Sequence, residues 1–136
     1  MARDLITIAK EFVAAEPRIK FAYLFGSMAR QTPGPLSDLD VAVYLDRRLD
    51  LFSWRLRLMT ALAKALGSEK FDLVVLNQAP VVLRYEIIRS GIVLKEDRTR
   101  RVMFETSVLQ EYLDSAHLRS VQASYLKESL RSGFNG

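Results

Sequence analysis

Asp38 and Asp40 stand one residue apart at the head of "DLDVAVYL" (residues 38–45), an apolar run in which free carboxylates are costly. Side chains of a strand alternate between its two faces, so positions 38 and 40 project the same way. Two carboxylates that close repel, and one is driven towards protonation unless a cation compensates them. A divalent ion is the common solution. Magnesium takes one or two carboxylates and fills its remaining positions with water and phosphate oxygens, so the pair predicts a site that a nucleoside triphosphate completes.

A phosphate-binding end is predicted ten residues upstream. Gly26-Ser27 closes the run "KFAYLF" and opens a short helical stretch, a place where unpaired N–H groups and the positive end of a helix dipole point outward. Glycine lets the backbone approach a phosphate, the Ser27 hydroxyl adds a donor or caps the helix, and Arg30 lies one turn along, within reach of a phosphate oxygen. Taken alone, Gly-Ser reads as a helix start and Asp-x-Asp as a loop or cap pair. Together, at this spacing and in this order, they arise by chance in on the order of one chain in five hundred at ordinary residue frequencies. A third acid, Asp72, is the second residue of "FDLVVLN". Beside Asp38 and Asp40 it completes a three-carboxylate site for two metal ions, which would activate an attacking hydroxyl and stabilise departing pyrophosphate, with Asp72 as general base or its metal-linked equivalent. Its bland alternative is a strand-edge aspartate facing water.

The elements that must position these residues follow from periodicity. Leu5, Ile8, Ala9, Phe12 and Val13 fall at helical spacing from Asp4 to Ala15, and Glu16-Pro17 stops the pattern. Strands are predicted at Lys20–Phe25, Asp38–Leu45 and Lys70–Asn77, with "GIVLKE" a shorter fourth. Ser27 to Gln31 forms the short helix, ended by Pro33-Gly34-Pro35. A helix from Leu51 to Leu66 closes on Gly67 as C-cap; another takes Pro80 as its first residue and stops at Gly91; a long one runs from Arg98 to about Ser132, with a bend near His117. Alternating strands and helices predict an α/β (α+β) fold, a small mixed sheet flanked by helices. One domain is expected: a core over residues 1–97 with the helical extension 98–136 packed on it.

The whole chain narrows the choice of function. Its 136 residues are 49% hydrophobic and 26% charged, as in ordinary soluble domains, with no apolar run approaching the roughly 18 residues of a membrane span. "MARDLITIAKEF" reads as a helix rather than a signal peptide, and the chain is placed in the cytoplasm. Zero cysteines leave no disulfide framework, thiolate catalysis or Cys-based zinc site. The net charge of +4 is spread over 20 basic and 16 acidic residues, so no direct nucleic-acid contact is expected, and "RTRR" (98–101) reads as a solvated face. His117, Trp54 and Tyr112 are read as surface or packing residues.

These residues carry a resemblance. Gly26-Ser27, Asp38-Leu39-Asp40 and Asp72 resemble the signature of the DNA polymerase β-like nucleotidyltransferase superfamily, and the short chain resembles its minimal members. "FGSMAR…SDLDVAVYL", "FDLVVLNQAPVVLRYEIIRSGIVLKE" and the closing helix look like the minimal nucleotidyltransferase (MNT) antitoxins, encoded beside HEPN-domain ribonuclease toxins. The resemblance implies the polymerase β-like fold and transfer of AMP from ATP, with two Mg2+ ions, onto a tyrosine hydroxyl of the toxin. It also implies roles: Gly26 and Ser27 hold the triphosphate, while Asp38, Asp40 and Asp72 bind metal. Gln31 departs from the glycine that members often carry there. Two alternatives stay open, transfer to a small-molecule hydroxyl and a non-catalytic antitoxin that acts by occlusion.

Overall fold

A computed structural model describes residues 2–30 and 38–135. The expectations for Gln31 and for Pro33-Gly34-Pro35, and the side chain of His117, lie outside the described residues. Along the chain run α1 (Ala2–Ala15), β1 (Ile19–Phe25), β2 (Leu39–Leu45), α2 (Leu51–Leu66), β3 (Phe71–Val75), α3 (Val81–Ser90), β4 (Ile92–Lys95) and α4 (Arg98–Asn135). Four strands form one sheet in the order β3-β2-β1-β4. β1 pairs antiparallel with β2 and β4, and β2 pairs parallel with β3. The sheet is therefore mixed, as expected. The parallel pair needs a crossover, and α2 supplies it.

Alternation sorts the strands into two layers. Leu39, Val41, Val43 and Leu45 of β2, with Leu73 and Val75 of β3, pack under α1 and α2 beside Ala9, Val13 and Leu58. The opposite face carries Phe21, Tyr23, Ala42 and Leu76 against Ile87 of α3 and Phe104 of α4. A register shift between Ile19 and Phe21 lets Ile19 join Ala22 and Leu24 in the first layer although its number has the other parity. β2 shows why its aspartates are tolerated. Its odd positions fill the α1–α2 core, whereas Asp40 lies on the alternate face at the strand's opening end and is half-buried.

Several local readings are refined. Pro80 is the N-cap of α3 with extended backbone (φ −60°, ψ 151°), not its first helical residue. Gly67 caps α2 in the left-handed region (φ 66°). Residues 27–30 form a single turn, closed by the Arg30 N–H donating to the Gly26 carbonyl at 3.3 Å. The Asn77 side chain continues β2 beyond the ladder, accepting from Leu45 N and donating to Leu45 O, both at 2.9 Å.

α4 is helical without interruption through position 117. Its first half packs on the sheet: Phe104 sits 5.5 Å from the Phe21 ring and 5.4 Å from Tyr44, and Val108 is buried. Tyr112 stacks on Tyr85 at 3.8 Å, the packing role expected of it. Arg98, Thr99 and Arg100 of "RTRR" are exposed, as expected of a solvated face, and Arg101 departs from that reading. It is half-buried, bonds Glu96 at 2.7 Å and Glu105 at 3.1 Å, and through Glu105 meets the Tyr23 hydroxyl, which donates at 2.5 Å. From Leu118 to Leu130 the apolar side chains of α4 are exposed. No helix among the described residues is long and apolar enough to cross a membrane.

Candidate active site

β2 and β3 bring two of the predicted acids side by side. In their parallel register Asp40 is paired with Asp72, and Leu39 with Phe71. Each partner is second in its strand, so both side chains leave the same face of the sheet at the same end. Asp38 immediately precedes β2 and is exposed, Asp40 is half-buried, and Asp72 is exposed. The acids thus run from a desolvated position to open solvent.

Electrostatics at Asp40 reports the crowding. Its carboxyl is held above the ordinary carboxylate range, first by burial, then by the charges of Asp72 and Asp38, while Arg30 pulls in the opposite direction. Asp72, Asp38 and Arg30 therefore all act on the one carboxyl of Asp40. A hard cation that prefers oxygen ligands would relieve this like-charge pressure, and carboxylates in adjacent strand positions are the donor type that magnesium accepts. Among the described residues, no three His, Cys, Asp or Glu side chains stand as a ready-made cage for a metal.

Gly26 joins the two ends of the site. β1 ends at Phe25, whose register partner is Asp40, and the next residue turns with φ 76°. A Cβ added there would overlap the Asp40 carboxylate oxygen and lie 3.0 Å from its Cγ. The position needs glycine twice over, for a left-handed backbone and for bare space beside a carboxylate. Ser27 follows, half-buried, in the turn that ends at exposed Arg30. The turn predicted to face phosphate therefore abuts the acid predicted to face metal.

Sequence periodicity missed two aspects of this arrangement. One is Phe25 as the lateral neighbour of Asp40, a pairing across the 26–38 connection that periodicity along the chain does not encode. The other is the contact of half-buried Trp54 with the exposed guanidinium groups of Arg18 and Arg57, on the opposite layer. Trp54 packs against the α1–α2 core, consistent with the packing role expected of it.

The chain is 39% identical over 75 residues to the protein adenylyltransferase MntA of Shewanella oneidensis, a match covering 55% of this chain and 52% of that protein. The chain thus spans about half the length of this curated relative. Among solved structures, one of a toxin–antitoxin with AMP-PNP superimposes with a TM-score of 0.71 at 27% identity, covering 92% of this chain and 98% of the other. A second, the tri-AMPylated Shewanella oneidensis HEPN toxin in complex with MNT antitoxin, gives 0.68 at 25% identity, covering 96% and 99%. The family model described as Polymerase beta, Nucleotidyltransferase matches residues 8–100, a span holding the Gly26 turn, all three aspartates and the four strands that align them. The chain belongs to the polymerase beta nucleotidyltransferase family.

Proposed function

We propose that this chain is an antitoxin adenylyltransferase that moves AMP from ATP to a tyrosine hydroxyl of a HEPN ribonuclease toxin. The observation that carries the reading is the cross-strand pair Asp40–Asp72, with the Gly26 backbone pressed against Asp40. Support also comes from the likeness to a protein adenylyltransferase and to toxin–antitoxin assemblies.

The chemistry follows from the placement of groups. Backbone N–H groups of the Gly26-Ser27 turn, with Arg30, hold the outer phosphates and orient the triphosphate in line. Asp38, Asp40 and Asp72 are the residues that would hold Mg2+, which when bound supplies positive charge to the phosphate oxygens. Asp72, exposed beside Asp40, takes the proton of the incoming tyrosine hydroxyl and later releases it to water. The tyrosine oxygen forms a bond to the α-phosphorus, the bond from that phosphorus to the α–β bridging oxygen breaks, and pyrophosphate leaves with the electron pair. The products are a tyrosyl-AMP ester and diphosphate.

The test is to incubate the protein with labelled ATP, Mg2+ and the product of the neighbouring gene. Label should appear on that product and disappear with Asp38→Asn. A second reading, neutralisation by covering the toxin, is favoured by the apolar side chains left exposed on α4, among them Leu113, Tyr125 and Leu126. Equal neutralisation by wild type and Asp38→Asn, with no label transferred, would establish that reading and sink the catalytic one.

A further inference from the structure

The layer of the sheet that faces away from Asp40 and Asp72 carries a second concavity. Between α1 and α2 lies an open hollow of about 340 Å³, lined by Phe12, Ala15, Trp54, Arg57, Leu58 and Ala61, with Leu58 buried and Ala15, Arg57 and Ala61 exposed. Its size falls at the small end of ligand pockets, and its lining follows their usual pattern of apolar surface with very few charged groups.

Charge at the rim is unbalanced. The guanidinium of Arg18 lies 4.7 Å from the Trp54 ring centroid and that of Arg57 lies 5.0 Å from it, so two cations converge on one indole. Arg18 is compensated by Glu16 at 3.5 Å. Arg57, which is exposed, has no salt bridge among the described residues and lies against the indole. A cation beside an apolar hollow and another cation is a place where an anion gains twice, from the pairing itself and from relieving the repulsion. Glu16 also lines the cavity, and its charge opposes ligands bearing several negative charges, such as phosphates of a nucleotide.

We propose that the α1–α2 cavity binds a small monocarboxylate with a branched or compact apolar body. The body lies on Phe12, Leu58 and Ala61, and the carboxylate accepts from Arg57. The site stands apart from the nucleotide chemistry, because β2 and β3 send Leu39, Val41 and Leu73 to this layer and their aspartates to the other. Binding here needs no metal and no nucleotide, so its test is independent of the adenylyltransferase reading.

Trp54 is the chain's single tryptophan, which makes its emission a direct reporter. The full chain is titrated with 4-methylpentanoate, with the neutral 4-methylpentanamide, and with sodium chloride at matched ionic strength. A saturable change is expected with the carboxylate, about two- to fivefold tighter than with the amide, as one solvent-exposed ion pair would give. Arg57→Ala should remove that preference, and Ala61→Phe, which fills the hollow, should remove binding of both; circular dichroism and melting establish that each variant is folded. No saturable change with the carboxylate, equal affinity for acid and amide, or an unaltered titration in folded Ala61→Phe would each overturn the proposal.

Discussion

Replacing Gly26 by alanine tests the join between the two halves of the site. The new Cβ would stand 3.0 Å from Cγ of Asp40 and 3.3 Å from its Cβ, where ordinary contact begins at 3.4 Å. Turning the carboxylate frees its oxygen but leaves Cγ too close, so the side chain must leave its rotamer or β1 and β2 must separate. An off-rotamer side chain costs about 0.5–1.5 kcal/mol, and an alanine held at φ 76° costs about 1–2 kcal/mol more. The total of roughly 1.5–3.5 kcal/mol corresponds to a fall in Tm on the order of 5–15 °C for a domain of this size. Urea and thermal melts of wild type, Gly26→Ala, Asp40→Ala and the double variant close a cycle. In the Asp40→Ala background only the backbone strain should remain, so Gly26→Ala should cost about 0.5–1.5 kcal/mol less there. Equal penalties in both backgrounds would show that the carboxylate is not the neighbour that demands glycine, and the two-walled site would fail with it. AMP transfer by Gly26→Ala should fall even where the protein remains folded, because the acid is displaced.

The Asp40 carboxyl should titrate above the usual range in carbon-detected NMR, and Asp72→Asn should bring it down, since one like charge is removed. The linkage has a definite sign: a folded-state pKa raised above the unfolded one gives stability that is complete below the unfolded value and is lost as pH rises through the folded one, so Asp40→Asn should gain on wild type in melts above that window. Tyr23→Phe removes the bond to Glu105 but leaves Glu105 paired with Arg101, so chemical denaturation should show a loss of about 1 kcal/mol. Arg101→Ala strips Glu96 and Glu105 together and should cost more than Tyr23→Phe in the same assay; the reverse order would refute the network. Leu73→Ala opens the layer beneath α2 and should cost about 2–5 kcal/mol in urea melts.

Local physics made much of this protein legible in one dimension. α2 spans Leu51 to Leu66, as its apolar spacing and Gly67 require, because helix periodicity and a left-handed cap depend on neighbours a few residues away. The places of Asp40 in β2 and Asp72 in β3 were readable for the same reason, whereas Asp38, expected on the strand beside Asp40, lies one residue before it. Pairing between distant residues obeys no such rule. Asp40 meets Asp72 across 31 intervening residues only because α2 carries the chain back to a parallel strand in that register. Gly26 looked like a phosphate-turn glycine, and the fold gave it a second reason to exist, the carboxylate beside it. Arg101 looked solvated within "RTRR" until α4 packed on β1 and brought it to Glu105 and Tyr23. Types and short spacings are properties of the chain; which charge is desolvated, and by whom, is a property of strand register and helix packing.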